Sequence, residues 1–261
     1  MKRKRGKQGW CAVKIDMIKA YDRVEWSYLE GIMHQLGFHE RWISLIMRCV
    51  NTVNYRVKVN GELLPAFLPS RGFRRGDPIS PYLFLLCGEG LSCMLLNYDG
   101  GWIDRGIRVG ASAPWILHLL FADDCLILMR ENSHNANTLK RVLDTYCGSS
   151  SQLVSIAKSS VFFSPNTNMQ TRHEICDQLH ITTQALSDKY LGLPAMVGAD
   201  RSDCFKHFCE KIKKLLKGWM EKQLSTGGKE ILLKAVAQAI PVFAMSIFCI
   251  PKGVCKDITD V

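Results

Sequence analysis

Two adjacent carboxylates, Asp123 and Asp124, lie between two short apolar runs at residues 116–120 and 125–129. Each run has the length of a buried strand, so the pair falls where a β-hairpin would turn. Two carboxylates held between buried strands repel one another and are costly to desolvate unless a cation neutralises them. Hard oxygen ligands suit Mg²⁺, which also binds substrate phosphates, so the pattern favours metal-assisted phosphoryl transfer. The alternative is a simple polar turn, because aspartate is common in turns.

A third carboxylate that could join such a site is Asp16. Apolar residues at 11, 13 and 15 alternate with Ala12 and Lys14, which predicts a strand that delivers Asp16 at its C-terminal end. A two-metal site for phosphoryl transfer needs a carboxylate from a second element, and Asp16 can supply it. The alternative is an aspartate that only ends a strand or caps a helix.

A third element combines arginines with a helix start. Residues 71–77 contain Arg71, Arg74 and Arg75 with two glycines, and Pro78 precedes a predicted buried helix face. Backbone amides at a helix start, together with arginines, favour an anion such as a triphosphate or a nucleic-acid backbone. The alternative is a loop-to-helix junction with solvated arginines.

In this order, the three elements resemble the palm motifs of reverse transcriptases, and more closely those of the non-LTR (LINE-type) retrotransposon enzymes of plants. The first motif is KIDMIKAYDRVEW at residues 14–26, the second is RRGDPISPYLF at 74–84, and the third is FADD at 121–124. Gln152 with Lys158 and Ser159 resembles the fourth motif. YLGLP at 190–194 resembles the segment that grips the primer end, and the matches extend over roughly residues 10–250.

The resemblance implies specific roles for site residues. Asp16, Asp123 and Asp124 would be catalytic and would bind two Mg²⁺ or Mn²⁺ ions. The residues implied in nucleotide binding are Tyr21, Arg75, Gly76, Asp77, Pro78 and Lys158. Those implied in binding primer or template are Tyr190, Leu191, Gly192, Lys213 and Lys217. Tyr21 stands where the family's aromatic crowds the sugar 2′ position, with a core tyrosine as its alternative, and a solvated lysine is the alternative for Lys158.

The activity that the resemblance implies is RNA-directed DNA polymerisation, in which dNTPs extend a DNA primer on an RNA or DNA template. Two positions depart from the family pattern, because Arg75 replaces a common Gln and Ser155 replaces a common Asn. The chain begins a few residues before the first motif, so we expect a truncated enzyme without the upstream fingers. A catalytically silent nucleic-acid-binding remnant is therefore the alternative function. A palm-type RNA polymerase is disfavoured by Tyr21.

The expected fold is α+β, with an antiparallel palm sheet backed by helices and followed by a helical, thumb-like region. We divide the chain into a basic N-terminus with the first palm strand (1–26), a finger-like insertion (27–70), the palm (71–199) and the thumb-like region (200–261). Apolar stripes predict helices over 26–36, 139–146 and 205–219, and Asn60-Gly61 predicts a hairpin turn. A further helix is expected from Thr226 to Ile240, stopped or kinked by Pro241.

Composition agrees with a polyanionic partner. The chain has 34 Lys and Arg against 24 Asp and Glu, a net charge of +10 and a pI near 9.1. Its hydrophobic content of 47% excludes general disorder. The 11 cysteines include no Cys-x-x-Cys pair, which predicts reduced thiols and an intracellular protein. The basic cluster at residues 2–5 is interpreted first as a frayed terminus, and the alternative is a nuclear-import or nucleic-acid-binding arm, which makes the nucleus a candidate compartment. We expect no membrane partner because no uninterrupted run of about twenty apolar residues occurs.

Overall fold

The computed structural model describes residues 9–97, 106–108, 110, 112–184, 189–190, 193–194, 201–220 and 225–260. The chain forms two compact units, Met1–Leu186 and Ser187–Val261. In the first unit the elements are β1 (Trp10–Asp16), α1 (Ala20–Arg23), α2 (Trp26–Gln35), α3 (Glu40–Asn51), β2 (Lys58–Val59), β3 (Glu62–Leu63), α4 (Ser80–Leu96), β4 (Ile107–Arg108), β5 (Trp115–Ile116), β6 (His118–Phe121), β7 (Asp124–Arg130), α5 (Ser133–Ser150), β8 (Ser160–Phe163) and α6 (Met169–Leu179). In the second unit they are β9 (Lys189–Tyr190), β10 (Leu193–Pro194), α7 (Arg201–Met220), α8 (Thr226–Leu232), α9 (Ala239–Ile247) and α10 (Lys252–Thr259).

The first unit is built on a four-stranded antiparallel sheet with strand order β6-β7-β1-β8. At one end of β1, Cys11 lies opposite Met129 of β7 and Phe163 of β8. Along β7, Cys125, Ile127 and Met129 are buried and alternate with partly exposed residues. This period of two is what a strand shows when one face packs on a core. The predicted α+β class and the antiparallel sheet backed by helices are confirmed.

Helices α2, α4 and α5 pack against one another within a single apolar core that also includes the sheet and α3. Tyr28 of α2 lies among them, where its hydroxyl donates a hydrogen bond of 3.3 Å to the Cys87 carbonyl. Its ring meets Tyr146 of α5 edge-on at 5.9 Å between centroids. Gly90 allows this approach, because a side chain there would collide with the Tyr28 hydroxyl. Tyr28 therefore ties together the three helices that support the sheet.

The predicted local signals of the first unit are confirmed with small changes of length. Helix α2 is followed by Gly37 at φ 79°, as expected for a helix C-terminus. Asn60 and Gly61 both have positive φ, 49° and 93°, which is the hairpin turn that this dipeptide favours. The strands on either side are only two residues long. The division of the chain at residues 26, 70 and 199 stays a prediction.

In the second unit, α7 has a buried apolar face and an exposed basic face. Phe205 and Phe208 lie in a small core that also contains Ala244 and Val254, and Ile212 of the same helix is buried as well. On the exposed side of the helix lie the lysines at 206, 211, 213, 214 and 217. The helix predicted over 205–219 from its apolar stripe is thus confirmed.

Pro241 does not stop the helix that begins at Thr226. The helical path widens to a π-turn over residues 233–237, and α9 then continues through Pro241 to Ile247. Proline cannot donate to the carbonyl four residues earlier, and its ring crowds that carbonyl, so the irregularity falls before Pro241 rather than after it. Gln238 accordingly donates to the Leu233 carbonyl five residues back, at 3.0 Å.

The helical stretch over residues 226–247 is, by length and composition alone, long and apolar enough to cross a membrane. Core helices of soluble proteins meet the same criterion, so one such helix is weak evidence. Three charged residues interrupt the stretch, namely Lys229, Glu230 and Lys234. The absence of a membrane partner stays a prediction.

Candidate active site

The catalytic carboxylates predicted from two distant motifs meet at one edge of the sheet. Asp16 ends β1 and lies directly opposite Asp124, the first residue of β7. Phe121 of β6 also pairs with Asp124, so Ala122 and Asp123 form a two-residue turn between the strands. Ala122 adopts positive φ, 50°, a conformation that costs an L-residue about 1–2 kcal/mol. Backbone strain of this kind is concentrated at functional sites.

Each carboxylate at this edge has a different environment. Asp123 is exposed in the turn. One oxygen of Asp124, Oδ1, lies 3.0 Å from Nζ of Lys14. One oxygen of Asp16, also Oδ1, lies 3.9 Å from Nζ of Lys158. Asp124 and Asp16, two of the three predicted metal ligands, therefore each form an ion pair with a lysine.

The segment of the predicted fourth motif holds the end of β1 in place. The backbone N–H of Ser155 donates to the Asp16 carbonyl at 2.8 Å, and that of Asp16 donates to Oγ of Ser159 at 3.2 Å. Ile18 adds a third bond, from its N–H to the Leu153 carbonyl at 2.8 Å. These bonds bring Lys158 to Asp16 although 142 residues of sequence separate them.

The donor chemistry of this edge fits divalent ions, but the side chains do not close around a shared point. Mg²⁺ and Mn²⁺ take hard oxygen ligands such as those of Asp16 and Asp123. Among the described residues, no group of three Asp, Glu, His or Cys side chains is close enough to hold one ion. Burial, with a smaller contribution from the Asp124 carboxylate, raises the pKa of the neighbouring Cys125 thiol to about 12, and the Cys125 side chain lies in the apolar core.

The arginine-containing loop of the second motif is bound to the first motif by backbone hydrogen bonds. The N–H of Gly72 donates to the Val24 carbonyl, and the N–H of Phe73 donates to the Tyr21 carbonyl, both at 2.8 Å. The Trp26 indole N–H donates to the Gly72 carbonyl at 2.8 Å. At the loop tip, Arg75 forms an ion pair of 2.7 Å with Asp22. These hydrogen bonds and the ion pair hold the first and second motifs together.

Between this loop and the carboxylate edge lies a cleft of about 660 Å³. It is bordered by Asp123 and by all six residues predicted to bind nucleotide, namely Tyr21, Arg75, Gly76, Asp77, Pro78 and Lys158. Arg74, one of the arginines expected to favour an anion, also lines it, as does Lys19, to which the sequence analysis assigned no role. The structure thus brings the predicted nucleotide site together from three motifs.

Tyr21 stands at the wall of this cleft. Its ring stacks on Phe84 at 4.6 Å between centroids with an interplanar angle of 13°. The preceding residue, Ala20, is held by Gln152, whose side-chain N–H donates to the Ala20 carbonyl at 2.9 Å. Gln152 is fully buried. Gln152 belongs to the segment that resembles the fourth motif, and its position identifies it as a support for the Tyr21 segment.

Asp123 also borders a second cavity, of about 370 Å³, between α4 and the β6–β7 hairpin. His118 lines this cavity, and its Nε2 lies 3.0 Å from Oγ of Ser92. Burial lowers the pKa of His118, an effect that Glu89 opposes. Because Asp123 and Met17 are common to both cavities, Asp123 can be reached from two sides.

Lys14 is a further residue that the sequence analysis did not single out. It precedes Asp16 by two positions in β1, so both side chains point to the same face of the sheet. That spacing was visible in the sequence, but the partner of Lys14 on β7 depends on strand register. Lys14 is therefore part of the site.

The residues predicted to bind primer or template belong to the second unit. Tyr190 lies in β9, which pairs with β10. Leu191 and Gly192 lie outside the described residues. Lys213 and Lys217 are exposed one helical turn apart on α7. Their roles stay predictions.

Residues 1–195 match the family described as reverse transcriptase (RNA-dependent DNA polymerase). The chain is 27% identical, over 57% of its length, to the transposon TX1 uncharacterized 149 kDa protein of Xenopus laevis. It is 29% identical, over 48% of its length, to the retrovirus-related Pol polyprotein from type-1 retrotransposable element R2 of Popillia japonica. The matched parts cover only 11% and 17% of these two relatives.

A solved structure has a similar fold. Telomerase from Candida tropicalis, in complex with a fragment of telomeric RNA, superimposes with a TM-score of 0.50. The match covers 80% of this chain and 33% of the telomerase chain, at 13% sequence identity. At that identity the similarity supports the polymerase-type fold alone.

Proposed function

We propose a function for this chain on the ground that it belongs to the reverse transcriptase (RNA-dependent DNA polymerase) family. It is the RNA-directed DNA polymerase domain of a LINE-type retroelement, and it adds deoxynucleotides to the 3′-hydroxyl of a primer. Its partners are a DNA primer on an RNA or DNA template and dNTPs. Because such a domain acts on cellular nucleic acid, the proposal includes an intracellular location, with the nucleus as the candidate compartment.

One observation carries the proposal: a single cleft contains Asp123 and all six predicted nucleotide-binding residues. Asp123 separates this cleft from the second cavity, so an incoming nucleotide and a primer end can approach one carboxylate from opposite sides. This arrangement suits nucleotidyl transfer, since the two substrates must meet in line at one phosphorus atom.

The residues of the chain have distinct tasks in this proposal. Asp16 and Asp123 would hold the two Mg²⁺ or Mn²⁺ ions, and Asp124 adds a third negative charge at the same edge of the sheet. When bound, the two ions lower the pKa of the primer hydroxyl and stabilise charge on the triphosphate and on the departing pyrophosphate. Lys158 and the arginine loop orient the phosphates, while Tyr21 contacts the sugar.

The test is primer extension by the full chain on a primed RNA template, with dNTPs and either Mg²⁺ or Mn²⁺. Extension by successive nucleotides supports the polymerase. The rival is the catalytically silent nucleic-acid-binding remnant, which is favoured by the lysines that already contact Asp16 and Asp124. Binding of template–primer without extension under either metal would replace the enzyme with that remnant.

Tyr21→Ala is expected to reduce discrimination against ribonucleotides by about tenfold or more, because a steric wall beside the sugar is removed. The measurement is the ratio of kcat/KM for dNTP and for the matching rNTP. Tyr21→Phe is the matched control, since it keeps the ring that stacks on Phe84. Equal ratios in wild type and Tyr21→Ala would assign Tyr21 to the core.

Lys213→Ala combined with Lys217→Ala is expected to weaken binding of a template–primer duplex and to flatten its dependence on salt. Each phosphate contact contributes about −0.9 to the slope of log K against log salt on a B-form duplex, so two lost contacts change the slope by about 1.8. The control is Lys252→Ala with Lys256→Ala, an equally exposed pair with the same spacing on α10. If both pairs of substitutions give the same slope, α7 does not hold the duplex.

A further inference from the structure

The contact between Lys14 and Asp124 joins two strands diagonally. In the register of β1 with β7, Asp16 faces Asp124 and Lys14 faces Leu126. Lys14 and Asp124 are therefore offset by two residues on one face of the sheet, and diagonal neighbours of this kind lie about 7–8 Å apart between Cα atoms. A lysine side chain spans that distance, and its Nζ reaches Oδ1 of Asp124 at 3.0 Å.

This ion pair is partly shielded from water. The side chain of Lys14 is 16% exposed and that of Asp124 is 24% exposed. The pair between Lys158 and Asp16 is looser, at 3.9 Å, and the Lys158 side chain is 73% exposed. An ammonium group on an exposed side chain can move aside when another cation arrives. One that is packed within a sheet stays in place, because giving up its carboxylate to a metal ion would leave a largely buried ammonium group without that partner.

We propose that Lys14 is the resident counter-cation of Asp124 and withholds that carboxylate from metal ions, so that Asp16 and Asp123 supply the metal-binding oxygens. Lys14 is then a positioning residue that sets the charge of the catalytic edge, reducing the net charge of three carboxylates by one. The inference rests on the proposed function, because it concerns the ions that a polymerase of this kind uses.

The position of Asp123 supports this division of roles. Asp123 is exposed in the hairpin turn and borders the nucleotide cleft, whereas Asp124 is the first residue of β7 and is bonded into the sheet. A divalent ion that also binds substrate phosphates needs a ligand that faces the cleft. Asp123 meets this requirement.

The discriminating experiment measures binding of Mn²⁺ alone, without nucleotide or template, by electron paramagnetic resonance of the free ion. In Lys14→Met combined with Asp124→Asn, a neutral pair replaces the ion pair, so both of its charges are removed together. We expect this double variant to bind Mn²⁺ within about twofold of wild type, whereas Asp123→Asn loses at least about tenfold in affinity. If the double variant binds as weakly as Asp123→Asn, Asp124 is a metal ligand and the proposal is overturned.

Lys14→Met alone is expected to change the affinity for Mn²⁺ in the opposite direction from Asp123→Asn. It leaves the charge of Asp124 unbalanced, so we expect Mn²⁺ to bind about three- to tenfold more tightly than in wild type, while the protein unfolds at lower denaturant. A purely structural lysine would not tighten metal binding. Lys14→Arg should restore both properties, and Lys58→Met, an exposed lysine of β2, should change neither. Unchanged Mn²⁺ affinity in Lys14→Met contradicts the proposal.

Failure of this inference is distinguishable from failure of the proposed function. If wild type extends no primer but the variants change Mn²⁺ affinity as expected, the polymerase assignment fails and the role of Lys14 stands. If wild type extends primers but the double variant loses affinity for Mn²⁺, the polymerase assignment stands and Asp124 is a metal ligand.

Discussion

Asp123→Asn is expected to reduce the rate of metal-dependent primer extension by at least about a hundredfold, since it removes a negative charge from the point where the ions and both substrates would meet. Asparagine has nearly the same shape as aspartate, and Asp123 is exposed in a turn, so stability should change by no more than about 0.5 kcal/mol. The loss of rate would therefore report chemistry and not unfolding. The measurements are single-turnover extension and denaturant unfolding of the same preparation.

The matched control for this prediction is Asp144→Asn. Asp144 is exposed on α5 and does not line the nucleotide cleft, so the substitution removes the same charge away from the site. Its extension rate should equal that of wild type. An Asp123→Asn variant that keeps more than about a tenth of wild-type activity would show that this carboxylate is not essential, against the expectation for a metal ligand.

Gly72→Ala is expected to lower the free energy of unfolding by about 2–4 kcal/mol and to weaken nucleotide binding. Gly72 has φ 82°, and a Cβ atom there would lie 2.7 Å from the backbone oxygen of Asp22. That oxygen belongs to the first motif, so the added methyl group would push the arginine loop away from α1. The hydrogen bonds that join the loop to Val24 and Trp26 would weaken with it.

Gly76 offers a matched control in the same loop. Its φ is 83°, almost that of Gly72, but no atom lies within 4 Å of a Cβ atom built on it. Gly76→Ala therefore introduces the backbone strain without the collision, and it should cost only about 1–2 kcal/mol. Denaturant unfolding of both variants measures the difference. Equal losses would mean that the contact between the two motifs contributes little to stability.

Much of the local structure could be predicted from the sequence because its signals are local. Neighbouring residues set the conformations of three such segments. They are the strand before Asp16, where inward-facing apolar residues occupy every second position, the apolar runs around Asp123, and the Asn60-Gly61 turn. The apolar stripes of α2, α5 and α7 likewise mark one buried face per helix. The order of the motifs along the chain is enough to place the three aspartates in one predicted site.

The effect of Pro241 on the helix could not be predicted from neighbouring residues alone. The residue type predicted a disturbance, but whether the chain stops, bends or widens depends on packing around it. Here α9 packs Ala244 into the core of the second unit, and the helix continues beyond the proline. The disturbance was therefore absorbed as a π-turn before it.

By itself, the sequence determined which side chains could do chemistry and in which short elements they lie, since strand alternation, turn residues and motif spacing are written in neighbouring positions. Only the tertiary structure decided their partners. The register that sets Asp16 opposite Asp124 also aims Lys14 at Asp124, and a shift of one residue would turn Lys14 to the other face of the sheet. Register depends on contacts between residues more than a hundred positions apart in the chain, so the sequence does not reveal it. The motifs predicted a site of three carboxylates, whereas the structure shows aspartates paired with lysines.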